Sequence, residues 1–74
     1  MDAKAFGTFL AETRRAKGLT QSALAEQLHV TDKAISRWER GLGFPDINTL
    51  EPLADALGLT LAQLMHADRG DGSG

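Results

Sequence analysis

The stretch Thr20–Gly41, TQSALAEQLHVTDKAISRWERG, constrains this chain more than any other. Leu24, Ala25 and Leu28 recur at three- and four-residue spacing, which puts them on one face of a helix. Ala34, Ile35 and Trp38 repeat that spacing for a second helix. The segment between them is too short to let the helices separate, so they must meet at a tight turn. Thr20 and Thr31 each stand just before a periodic run, where a side-chain oxygen can accept from an unpaired N–H of the first turn. Ala25 is small where the helices would cross, and Val30 is apolar where the turn would face inward. This is the sequence form of a helix-turn-helix.

The stretch resembles the Cro and lambda-repressor-type helix-turn-helix family, also known as xenobiotic-response-element-type regulators. Gln21, Ala25, Ile35, Trp38, Glu39 and Gly41 carry the likeness inside the motif. Arg14 and Gly18 extend it before the motif, and Pro45, Leu50, Leu53-Ala54 and Leu57-Gly58 after it, over about residues 5 to 66. The resemblance implies an all-α, compact five-helix domain in which the second motif helix, at about residues 32–40, enters a DNA major groove. One departure stands out. The turn position most often glycine in this family is His29, at a site that usually takes the left-handed conformation. Histidine tolerates that conformation better than most residues, at a cost of up to about 1 kcal/mol.

Composition narrows the alternatives. Seventy-four residues make one domain, near the lower limit for folding without staples. The absence of cysteine excludes disulfides and cysteine-based zinc sites. No apolar run approaches a membrane span and no signal-peptide core is present, so a cytoplasmic protein is expected. The net charge of −2 runs against nucleic-acid binding, but charge is segregated. Residues 14–40 hold six basic side chains against three acidic ones, whereas the remainder holds two against seven. That distribution favours a local basic face over general attraction to polyanions.

Taken in order, the chain offers a first helix over residues 3–17, with Phe6, Phe9, Leu10 and Thr13 on one face and Gly18 as its stop. The motif helices follow, ending near Leu28 and Arg40. Gly41 to Pro45 is a loop by composition, with Phe44 as its apolar anchor. A fourth helix ends at Leu57 with Gly58 as cap, but its start is open. Capped by Asn48 or Thr49, it would hold Pro52 in its opening turn; capped by Asp46, it would carry Pro52 deeper and bend. Thr60 to Gln63 reads as a capping box for a short fifth helix through about His66. The domain is expected to span 1–67, and the Gly-rich segment 68–74 to be a disordered tail or the start of a linker. Its Arg69-Gly70-Asp71 tripeptide, an integrin-ligand sequence elsewhere, reads as chance in a cysteine-free chain.

A groove-reading helix needs its side chains at the end nearest the turn. Those positions are Thr31, Asp32, Lys33, Ser36 and Arg37. Arg37 and Lys33 can donate to guanine, and Asp32 can accept from cytosine or merely stabilise its helix N-terminus. The resemblance implies base contacts for Asp32, Lys33 and Arg37, with Ser36 beside them, and a phosphate contact for Gln21. Thr31, Arg40, Asn48, Thr49 and Arg14 are further phosphate candidates. Arg14 and Glu39 fall on inner faces, and the resemblance pairs them. Trp38 reads as core. His29 and His66 lack ligand partners, no nucleophile–base pattern is present, and neither a metal nor a cofactor nor an enzyme is expected.

The expected function is sequence-specific double-stranded DNA binding by a transcriptional regulator, a repressor acting as a homodimer on a palindromic operator. The competing reading is a protein-interaction module of the same fold, such as an antitoxin or a coactivator-type bridge. Leu61, Leu64 and Met65 are the candidate dimer contacts, set against the alternative that they finish the monomer core. The chain would also suit the N-terminal domain of a longer regulator.

Overall fold

The computed structural model describes residues 2–66. Its elements are α1 (Ala3–Ala16), α2 (Gln21–Leu28), α3 (Asp32–Glu39), α4 (Ile47–Leu57) and α5 (Leu61–Met65), with no strand among the described residues. The all-α, five-helix expectation is met. The segment 68–74 and its tripeptide lie outside the described residues.

Short helices in so small a domain need their ends closed, because each leaves four N–H and four C=O groups unpaired. Asp2, Thr20, Thr31 and Thr60 accept from Ala5, Ala23, Ala34 and Gln63 N–H at 3.0, 3.0, 3.1 and 3.0 Å. Gln63 completes the capping box by accepting from the Thr60 N–H. At the other ends, α1 to α4 each terminate in a left-handed residue: Gly18, His29, Gly41 and Gly58. In each case the next residue donates its N–H back five positions. The pairs are Leu19 to Arg14, Val30 to Ala25, Leu42 to Arg37 and Leu59 to Ala54, at 3.1, 3.0, 2.9 and 2.8 Å. His29 holds φ 59°, ψ 39°, so the histidine takes the conformation that glycine would.

The start of α4 is the one left open by sequence. It is capped by Asp46, and Pro52 therefore sits inside the helix. The Asn48 carbonyl loses the N–H that residue 52 would supply, but both residues are exposed and water can take its place. Asp46 makes no side-chain bond to the helix N–H groups; its carboxylate accepts the Thr49 hydroxyl instead.

Phe6, Leu10, Leu24, Ile35, Leu53, Leu57 and Leu64 are fully buried and form a single core with Ala25, Leu28, Trp38 and Ala54. Trp38 is core, as expected. Phe44 lays its ring against Phe6, centroids 5.4 Å apart, while keeping an exposed edge. Leu64 corrects an expectation: α5 turns it wholly inward, so it finishes the monomer core and is unavailable to a partner subunit. Gly7 is buried where α1 crosses the end of α3, and an added Cβ would lie 2.6 Å from the Glu39 carbonyl oxygen. Only glycine permits that approach.

Candidate nucleic-acid interface

The turn after α2 is closed at His29, and Val30 and Ala34 pack against the core. These contacts fix the direction in which α3 leaves the turn. Ile35 and Trp38 bury its inner face, so Thr31, Asp32, Lys33 and Arg37 are left exposed on the outer one, with Ser36 half-buried beside them. No ion pair ties Lys33, Arg37 or Arg40 to an acid among the described residues. Three free cations against Asp32 make this face positive within a net-acidic chain. The Thr31 hydroxyl oxygen caps the helix, which leaves its O–H free to donate outward.

Behind that face lies a buried polar cluster. The Arg14 Nε donates to Glu39 Oε2 at 2.6 Å and its Nη2 to Oε1 at 3.2 Å, with both side chains under one-tenth exposed. Arg14 Nη1 donates to the Leu19 carbonyl at 2.8 Å. Gln21 Nε2 donates to the same Glu39 Oε1 at 2.9 Å. One carboxylate thus gathers donors from α1 and α2 onto α3. No buried side-chain nitrogen or oxygen is left unpartnered among the described residues. Buried ion pairs stabilise little in net terms unless their remaining polar atoms are satisfied; here they are.

This geometry sorts the phosphate candidates. Arg14 is withdrawn from them, because its guanidinium is enclosed and bound on Nε, Nη1 and Nη2. Gln21 is half-buried with its amide turned inward on Glu39, so it braces α2 against α3 from a position at the surface. Arg40 is exposed, its Nε near the Ser36 carbonyl at 3.4 Å. Asn48 is exposed, whereas the Thr49 hydroxyl is already given to Asp46, a carboxylate that also brings negative charge to the N-terminus of α4.

Sequence reasoning missed two features. The Arg37 guanidinium is not loose: its Nη2 donates to the Leu42 carbonyl at 3.2 Å. A set of apolar side chains also remains outside the core, with Leu42, Phe44, Ile47, Leu61 and Met65 between 42% and 82% exposed. Phe44, Pro45, Leu50 and Met65 line an open apolar groove of about 210 Å³. Leu61 and Met65 were named from sequence, together with Leu64, as surplus apolar residues, with their facing left open. The exposure of Leu42 and Ile47 carried no signal, since isolated apolar residues near a loop read equally well as anchors.

Comparison with known proteins places this arrangement. Residues 5–67 match the model of a helix-turn-helix domain family. The HTH-type transcriptional activator BcrR of Enterococcus faecalis is 38% identical over 63 residues, which are 85% of this chain and 31% of that protein. The chain therefore spans about a third of that relative's length. The restriction-modification controller protein C.AhdI from Aeromonas hydrophila superimposes with a TM-score of 0.79 at 33% identity, over 85% of this chain and 96% of that one. SinR, a master regulator for biofilm formation whose structure was solved in complex with DNA, gives 0.73 at 31% identity, over 81% and 97%. The same fold also occurs as about a third of a hydroxypropylphosphonic acid epoxidase from S. wedmorenis, with a TM-score of 0.76 at 26% identity, over 85% of this chain and 34% of that one.

Proposed function

The chain belongs to the helix-turn-helix domain family, and from that premise we propose that it is the sequence-specific DNA-binding part of a transcriptional regulator. α3 enters the major groove; Arg37 and Lys33 read bases, Ser36 and Asp32 stand beside them, and Gln21, Thr31, Arg40 and Asn48 hold the backbone. The observation that carries this reading is the free cationic face of α3, held rigid by the Arg14–Glu39–Gln21 cluster behind it. The chain contributes no catalytic group to this activity. It acts as a repressor by occupying an operator.

Pairing follows from size. One reading helix contacts few base pairs, whereas two related by a two-fold axis span half-sites one helical turn apart and make the operator palindromic. Exposed Leu61 and Met65, beside the Phe44–Leu50 groove, supply the apolar surface for that contact. The same surface favours a second reading, in which a protein partner docks there and DNA contact is secondary.

Selection of sites from a random duplex pool, followed by salt-titrated binding, separates the two. A selected palindrome bound more tightly than random DNA, with an affinity that falls steeply as salt rises, is the expected result. Equal affinity for selected and random DNA would refute the regulator reading.

A further inference from the structure

Two closely similar six-residue rings occur in this fold. At the end of α1, the Leu19 N–H donates to the Arg14 carbonyl while the Arg14 guanidinium donates to the Leu19 carbonyl. At the end of α3, the Leu42 N–H donates to the Arg37 carbonyl while the Arg37 guanidinium donates to the Leu42 carbonyl. Each ring is closed by a left-handed glycine, Gly18 or Gly41. The first ring shows what the device does. With Nη1 on Leu19, the Arg14 side chain turns a complete edge, Nε and Nη2, onto the two oxygens of Glu39.

The second ring is anchored through Nη2 where the first uses Nη1, and it has no partner on the other side. Arg37 is exposed, and Leu42 is the one residue of its kind that leaves the core; Leu19, Val30 and Leu59, at the equivalent positions after α1, α2 and α4, all pack against it. Nη2 carries two hydrogens, one on each edge of the guanidinium. Spending one on Leu42 leaves the opposite edge whole, with two parallel N–H groups facing outward. A planar partner with two acceptors fits that edge, and in a major groove guanine offers O6 and N7.

We infer that the Leu42 carbonyl is a positioning group which fixes the Arg37 guanidinium for bidentate reading of one guanine. The Gly41–Gly43 loop is then a determinant of specificity although it touches no base. This rests on Arg37 being a base reader, and it adds that the selectivity of Arg37 is set from outside α3. An unanchored arginine samples many rotamers and reaches phosphates and several base edges; an anchored one arrives in a single orientation.

Gly43 gives the handle for a test. Its φ is not in the left-handed region, and a Cβ placed on it would meet only Arg37 Nη2, at 4.0 Å. Gly43→Val therefore sets a branched side chain beside the anchored guanidinium, with its Cβ meeting no other heavy atom within 4 Å. As a second variant, total synthesis of the 74-residue chain with an ester in place of the 42–43 amide weakens the Leu42 carbonyl as an acceptor. The Gly43 N–H it removes makes no backbone hydrogen bond among the described residues. The readout is the ratio of affinities, at fixed salt, for the selected duplex and for the same duplex with its guanine replaced by adenine. Both changes are expected to lower that ratio by on the order of fivefold, to leave the melting temperature near the parent's, and to have no effect on the ratio in an Arg37→Ala background. Parent-like ratios in both variants, alongside a lowered ratio in Arg37→Ala, would overturn the positioning role while the base reader stands. An unchanged ratio in Arg37→Ala itself would overturn the base reader and the positioning role together.

Discussion

Glu39 accepts from Arg14 and from Gln21, and its side chain is only 6% exposed, so solvent can do little to replace those donors. Removing it leaves the Arg14 cation enclosed and unpaired, a loss of about 3–5 kcal/mol. Glu39→Ala is expected to unfold in urea far earlier than any variant of an exposed charge such as Glu12 or Lys33. A melting temperature within a degree or two of the parent would show the pair to be weak. On the outer face, Arg37→Ala should weaken binding to the selected site by about 1–3 kcal/mol and relax discrimination at one base pair. Gln21→Ala should weaken all duplexes by a similar factor, since its amide braces α2 against α3 and reads nothing. Titration of selected and random duplexes separates the two; uniform weakening by Arg37→Ala would make it a backbone contact. The inward placement of Arg14 and Glu39 was legible because both fall on faces shared with Leu10 and Ile35. That Arg14 is closed off from phosphate was not, because exposure depends on how far apart α1 and α3 lie.

That spacing is decided at the level of elements. Gly7 lets the backbone of α1 come against the end of α3, where a methyl group would meet the Trp38 and Glu39 carbonyls. Read as sequence, a glycine inside a helix is only a weak point, costing about 1 kcal/mol relative to alanine. Here the sign is reversed: Gly7→Ala should destabilise by about 1–3 kcal/mol despite the gain in helix propensity, and a raised melting temperature would contradict the close crossing. His29 behaves in the opposite sense. It occupies the left-handed region with a β-carbon, is exposed, and its side chain is not needed for the turn. His29→Gly is expected to stabilise by a few tenths of a kcal/mol up to about 1, measurable as a later urea midpoint with unchanged slope. Helix existence and the caps at Thr20, Thr31 and Thr60 were readable because each is a local pattern. The start of α4 was not, because Asp46, Asn48 and Thr49 are all competent caps by residue type. The residue that caps it, Asp46, lies two positions after the Phe44 whose ring packs on Phe6.

At the scale of the whole molecule, exposed Phe44 and Met65 line one apolar groove with Pro45 and Leu50, and exposed Leu61 lies on the same short helix as Met65. Leu61→Glu should abolish cooperative binding to a full palindromic site while leaving the melting temperature and half-site affinity close to the parent's. Sedimentation with full-site and half-site duplexes measures it. One protein per full site at saturation, in the parent chain, would remove the paired arrangement. Sequence spacing could mark Leu61, Leu64 and Met65 as a surplus of apolar residues but could not divide them. The division depends on the rotation of a five-residue helix, which turns Leu64 inward and the other two out.

The partition of α3 has a consequence for how such a protein changes over time. Ile35, Trp38 and Glu39 hold the helix in place, while Asp32, Lys33 and Arg37 face outward without any core contact. On the proposed reading, fold and base contact fall on separate letters of one eight-residue word, with the Leu42 carbonyl beyond it orienting Arg37. Selection can rewrite the outward letters without passing through an unfolded intermediate, whereas Arg14 and Glu39 can be replaced only together. A lineage built on this chassis should drift quickly in the sites it favours and slowly in the pair that holds it upright.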